Sequence, residues 1–270
     1  MTFIESTALG LLQGFTEFLP VSSTGHLVLI RALFGIEDSN ALAFDAMLHL
    51  ATALAVIVYF RRDLWEIAQA ALRKLGRLPV NEKDERLLYA LLIGTVPAVI
   101  LGLSLESLMA TLFRSPLLVA GVLVAGSFLF MYAEWRYLTT PRDNELTMRR
   151  GLIIGLFQSL ALIPGMSRSG ATIVGGMLLG LSRSEAARFA FLLAVPVITG
   201  AGMKKFLELL TSDSAIAWGS VALGAFVAFV SGLIAIHFMI SFVRRHTLWP
   251  FIWYRLTLAA FVVFVYVFSS

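Results

Sequence analysis

From Trp218 to Val243 the chain runs 26 residues without one Lys, Arg, Asp or Glu. As a helix rising about 1.5 Å per residue, that segment outreaches the roughly 30 Å hydrocarbon core of a bilayer. A helix apolar on every side needs protein or lipid on every side. Five further segments are of the same kind: Ala41 to Phe60, Leu87 to Leu103, Pro116 to Trp135, Glu185 to Met203 and Trp249 to Phe268. Only 14% of the 270 residues are charged, against about 25% in a soluble domain, so no charged coat is available to cover so much apolar surface. The chain therefore reads as a single membrane-embedded, all-α domain whose first partner is the bilayer. With no cysteine it has no disulfide framework, Cys-based zinc site or cysteine nucleophile. The first basic residue is Arg31, so the amino terminus is expected to be mature sequence rather than a cleaved leader.

Four other apolar stretches are shorter or broken: Phe3 to Leu19, Thr24 to Ile36, Gly151 to Ile163 and Ala171 to Leu181. They form two pairs, each joined by a polar, Pro-containing tip, PVSSTG at Pro20 to Gly25 and PGMSRSG at Pro164 to Gly170. Irregular backbone at membrane depth is tolerated only where protein or a wet cavity covers it. The pairs are thus expected to be re-entrant helical hairpins, over 3–36 and 151–181, beside six transmembrane helices. Returning each hairpin to its own side places fifteen of the 21 basic residues on one face of the membrane and four on the other, with Arg168 and Arg255 inside. The basic face is expected to be cytoplasmic, which puts both termini on the periplasmic side. Ten full crossings would give the same loop assignment, so the bias bears on orientation and not on re-entrance. The formal net charge of +4 is a matter of topology and gives no reason to expect a nucleic-acid partner.

The halves resemble each other. Gly10, Gly14 and Glu17 recur as Gly151, Gly155 and Gln158 at a constant offset of 141; beyond a short insertion, Pro20 and Gly25 recur as Pro164 and Gly170. Each half, residues 1–135 and 151–270, would be one hairpin plus three crossings, with 136–150 as a cytoplasmic connection. Three is odd, so the second half starts on the opposite side, which predicts an inverted-topology repeat with two broken-helix tips meeting near the midplane. The basic and acidic stretch Arg61 to Arg86 is expected to be a solvated connection with an amphipathic portion.

A helix start offers free N–H donors and the positive end of a dipole, so two facing starts with Arg168 between serines would make a phosphate cradle. An ionisable residue at membrane depth is expensive and usually functional. In the first hairpin Gln13 and Glu17 share a helix face, and His26 follows Ser23 by about one turn. Glu17, Ser23, His26 and Arg168 together supply a base or metal ligand, a nucleophile, a proton carrier and an electrostatic clamp, which is a phosphoryl-transfer set. Ser23 is the first choice of attacking group, with His26 or water as alternatives. Asp45 and His49, at i and i+4, are expected to be a structural couple rather than cavity lining, His237 a satisfied core or interfacial residue, and Arg255 a helix-packing or headgroup contact.

QGFTEFLPVSSTGH at Gln13 to His26, PGMSRSGAT at Pro164 to Thr172 and TVPA at Thr95 to Ala98 resemble the motifs of the undecaprenyl-diphosphate phosphatase family of the bacitracin-resistance type, over essentially the whole chain. The resemblance implies a bacterial inner-membrane hydrolase that converts a C55 polyprenyl diphosphate to the monophosphate carrier for cell-wall assembly. It further implies a divalent cation, Mg²⁺ or Ca²⁺, and a site open to the periplasm. By motif position it gives roles to Glu17, Ser22, Ser23, Thr24 and His26, and to Ser167, Arg168, Ser169 and Thr172. Gln13, which would join Glu17 at the metal, stands where many members have Glu, so a mechanism needing two carboxylates from this helix is not supported. The rival class is an anionic-lipid flippase or transporter, which would not need Glu17, Ser23 and His26 in one hairpin. Association into a homo-oligomer is left open.

Overall fold

The computed structural model describes residues 2–34, 41–105, 115–139, 141–210 and 217–268. Among them are eleven α-helices and no strand: α1 (Phe3–Phe18), α2 (Ser23–Phe34), α3 (Ala41–Tyr59), α4 (Arg61–Leu75), α5 (Glu82–Ser104), α6 (Pro116–Tyr137), α7 (Met148–Ser159), α8 (Arg168–Leu178), α9 (Arg183–Leu210), α10 (Trp218–Val243) and α11 (Trp249–Phe268). Local chemistry sets several starts. Thr2 and Glu5 form a capping box on α1, Asn81 caps α5, Pro116 opens α6 and Thr147 caps α7.

Helices α5, α6, α9, α10 and α11 are each long and apolar enough to cross a membrane. The sixth expected span, Ala41 to Phe60, is α3; its stretch Phe44–Tyr59 passes the same test together with α4, from which it is bent by 81°. Exposed Phe226, Phe238, Trp253 and Phe264 on α10 and α11 give the outer surface the apolar character that lipid contact requires, and Phe18, Phe130, Phe189 and Phe191 fill the interior.

The four short stretches are short helices. α1 has 16 residues, α2 and α7 have 12 and α8 has 11. The second arm of the second hairpin starts at Arg168, three residues before the expected Ala171, because Ser167 caps it. Its first arm ends at Ser159 and tightens into a 3-10 turn, Leu160–Leu162, before Pro164. Gly35 and Ile36 at the expected end of the first hairpin, Arg114 in the charge census, and Met1, Ser269 and Ser270 lie outside the described residues.

The halves exchange packing partners. α1 of the first half packs mainly on α10 of the second, and α7 of the second packs mainly on α5 of the first. The contacts use corresponding glycines: Gly10 and Gly14 lie against the Gly224 and Ala228 backbone, and Gly151 and Gly155 against that of Ala90 and Gly94. α3 packs on α9 and α10, and α6 on α11. A Cβ on Gly155 would fall on the Gly94 carbonyl. Gly155→Ala is therefore expected to cost about 1–3 kcal/mol by forcing α5 and α7 apart, measured as a lower Tm in detergent. From the first turn of α7, Arg150 grips both oxygens of Asp143 at 2.5 and 2.9 Å and holds that carboxyl down at about 2, which ties the 136–150 connection to α7.

Candidate active site

The two tips are built alike. Ser22 and Ser167 occupy corresponding positions with left-handed backbones, φ 75° and 73°, a conformation that costs a non-glycine residue about 1–3 kcal/mol. Each accepts on its side-chain oxygen the amide of a glycine three residues on, Gly25 at 3.3 Å and Gly170 at 3.2 Å. Ser22 Oγ also accepts the Gly165 amide of the other tip at 3.1 Å, so the caps are joined. The sharp reversal aims the next residue of each helix, Ser23 and Arg168, at one side chain.

That side chain is Glu17, with only 2% of its side-chain surface exposed. Its Oε2 accepts the Ser23 hydroxyl at 2.5 Å and Gln13 Nε2 at 2.9 Å, and its Oε1 pairs with Arg168. Gln13 Nε2 also donates to His49 Nδ1 at 2.9 Å, leaving Gln13 Oε1 buried without a hydrogen-bond partner. Arg168 keeps 20% of its side chain exposed, so the guanidinium is held by the carboxylate and open to a ligand at once. A hydroxyl, its hydrogen-bonded carboxylate and a cation thus converge from three elements.

They meet in a cavity of about 390 Å³ whose polar lining includes Glu17, Ser22, Ser23, Thr24, Ser167 and Arg168. Its walls come from α3 and α9 as well, through Asp45, His49, Val197, Ile198 and Lys205. Asp45 and His49, weighed as a structural couple or as cavity lining, are found in the lining. Asp45 is bonded by Arg31 at 2.7 Å, and His49 Nδ1 lies 3.4 Å from Glu17.

Other expected site residues stand back from the cavity. Ser169 Oγ donates to the Leu19 carbonyl at 3.2 Å, and buried Thr172 donates to the Arg168 carbonyl at 2.7 Å, so both brace the tip. His26 Nδ1 meets the Ser22 carbonyl at 2.7 Å and so carries a proton, while Nε2 lies 2.7 Å from the Tyr254 hydroxyl. Its ring supports the Ser22 turn from behind.

Arg255, expected to be a helix-packing or headgroup contact, packs on α6 and also on both tips. It is fully buried on α11, and its guanidinium donates to the carbonyls of Pro20, Gly165 and Met166 in the two tips, to Leu123, and to Ser127 Oγ, at 3.0–3.4 Å. The Phe130 ring centroid lies 4.8 Å from its Cζ. One cation therefore clasps both turns. The signals in the sequence were an Arg in an apolar span and a glycine, Gly126, which clears room for the guanidinium.

Among the described residues no group of three or more His, Cys, Asp or Glu is arranged to hold a metal. Oxygen donors at and beside the cavity include the Glu17 and Asp45 carboxylates and the unpartnered Oε1 atoms of Gln13 and Gln158, hard ligands of the kind Mg²⁺ and Ca²⁺ take. They fit such an ion where a ligand's own oxygens and water complete its shell, the usual manner of Mg²⁺ at phosphate sites.

The family model for bacitracin resistance protein BacA matches residues 6–261. Proteins named undecaprenyl-diphosphatase are similar over nearly the full length. That of Nitrosococcus oceani is 43% identical over 98% of this chain and 100% of its own. Those of Rubrobacter xylanophilus, 43% identical over 97% of each chain, and Hahella chejuensis, 39% identical over 99% of this chain and 100% of its own, are comparable.

Proposed function

The chain belongs to the bacitracin resistance protein BacA family, and we propose that it hydrolyses undecaprenyl diphosphate to undecaprenyl phosphate and inorganic phosphate, as its relatives' names describe. The reaction recycles the lipid carrier of peptidoglycan and other cell-wall polymers and contributes to bacitracin resistance. The observation that carries this reading is the Ser23 hydroxyl, 2.5 Å from a buried carboxylate that also holds Arg168 at the mouth of two helix starts.

The lipid tail lies between helices and the diphosphate reaches the junction of the tips. There Arg168, Ser22, Thr24, Ser167 and the amides at the starts of α2 and α8 receive the terminal phosphate. Ser23 Oγ attacks the terminal phosphorus as its proton passes to Glu17 Oε2, and the bond from that phosphorus to the bridging oxygen breaks, releasing the lipid monophosphate. Water then attacks the phosphoserine, giving inorganic phosphate, and Glu17 returns the proton to Ser23. Bound by Glu17, Gln13 and the substrate's oxygens, Mg²⁺ or Ca²⁺ would shield the diphosphate charge. Ser169, Thr172 and His26 keep the tips in shape.

The short helices and the exchanged glycine contacts support two re-entrant hairpins in an inverted repeat of six spans, set in the bacterial inner membrane. Lys205, one of four basic residues on the sparse face, lines the cavity, which supports an opening toward the periplasm.

Phosphate release from undecaprenyl diphosphate in detergent, with and without a chelator, tests the reading. Release that the chelator suppresses is expected; no release with any cation would favour an anionic-lipid flippase in the same cavity. Arg168→Lys keeps the charge but loses the planar fork, and its kcat/KM is expected to fall about 100-fold, the scale of a lost transition-state donor. Unchanged kinetics would remove Arg168 from the clamp.

A further inference from the structure

Gln158 corresponds to Glu17 in the repeat and differs from it in one respect that the fold does not use. It lies in the last turn of α7, is 2% exposed and lines the same cavity. Glu17 is bonded by Ser23, Gln13 and Arg168, whereas neither Nε2 nor Oε1 of Gln158 has a hydrogen-bond partner. Burying an amide with both ends unmet is unfavourable, and an apolar side chain of equal volume would serve packing better. Such a group is retained where a ligand completes it.

The surroundings select the ligand. The cavity's cations are Arg168 and Lys205, the latter bonded to Glu208 at 2.7 Å, and its acids Glu17 and Asp45 are bonded to Arg168 and Arg31. The partly exposed guanidinium of Arg168 beside the starts of α2 and α8 favours an anion, and the amide's NH₂ offers it two neutral donors. At the corresponding place in the first hairpin, the carboxylate activates Ser23; a second carboxylate here would repel the substrate. We propose that Gln158 is a substrate-binding residue whose Nε2 donates to an oxygen of the diphosphate. The inference rests on the hydrolase reading for the identity of its ligand.

The test is Gln158→Met, which keeps the volume and removes both polar atoms. KM for undecaprenyl diphosphate is expected to rise about 10- to 100-fold, the worth of a hydrogen bond to a charged group, with kcat within a few-fold of the parent. The Tm of the free protein should hold or rise, since nothing in the unliganded protein loses a partner. Gln158→Glu should raise KM further. A lower Tm with KM unchanged would make Gln158 structural and overturn the proposal, as would kinetics and Tm both unchanged. If the parent releases no phosphate, the hydrolase reading fails by itself, and Gln158 is judged by the Tm shift given by a methylene-bridged farnesyl diphosphonate, with inorganic phosphate in parallel. A diphosphonate shift lost in Gln158→Met sustains the assignment. An equal shift in both proteins, or loss of the phosphate shift alone, overturns it.

Discussion

Ser23→Ala is expected to abolish phosphate release while leaving the fold intact. Removing an attacking group costs on the order of 10⁴- to 10⁶-fold in kcat when the rest of the machinery can only bind. The structural cost is small by comparison. Ser23 is the first residue of α2, alanine is accepted there, and Glu17 keeps Gln13 and Arg168 as partners when the hydroxyl is gone. Single-turnover phosphate release measured beside Tm separates the two effects. The covalent route makes a second demand: rapid quenching of the parent protein should show phosphate on the peptide that carries Ser23, and Ser23→Ala should show none. Near-normal turnover by the variant would take the attack away from Ser23 and give it to water.

Glu17, Ser23 and Arg168 were legible in the sequence because polar groups in or beside short apolar arms of a membrane chain are costly. The repeated Gly and Pro spacing marked the two tips on which they sit. That spacing also foretold the close helix contacts, since Gly10, Gly14, Gly151 and Gly155 are the places where backbone meets backbone. His26 shows the limit of reading one helix. One turn from Ser23 it belongs near the same face, yet a side chain at the first helical position points back past the helix start to Glu17, while the imidazole bonds the Ser22 carbonyl and Tyr254. The cavity walls were hidden for a different reason. Asp45 and His49 reach the site because α3 packs on α9 and α10, and Gln158 can be recognised as unmet only when every neighbour is known. No periodicity encodes such crossings.

Arg255 carries the second large expectation, because two effects oppose each other there. Burying a guanidinium without a carboxylate is costly, so an apolar replacement gains the desolvation energy back, and in some proteins that exchange is stabilising. Here the replacement also strips donors from the turn carbonyls of Pro20, Gly165 and Met166, around a side chain that is fully buried. Orphaned carbonyls cost about 1–3 kcal/mol each, and three of them outweigh the gain. Arg255→Met is thus expected to lose about 3–5 kcal/mol, a Tm lower by roughly 10 °C in detergent. The tips it releases are those that aim Ser23 and Arg168 at Glu17, so kcat should fall more than tenfold in protein that is still folded at the assay temperature. Arg255→Lys separates charge from clasp: an ammonium restores the cation but does not span both turns, so its kcat should stay near that of Arg255→Met. Full activity in Arg255→Lys would mean that the charge alone matters, and an unchanged Tm in Arg255→Met would show that the two turns hold together without the clasp.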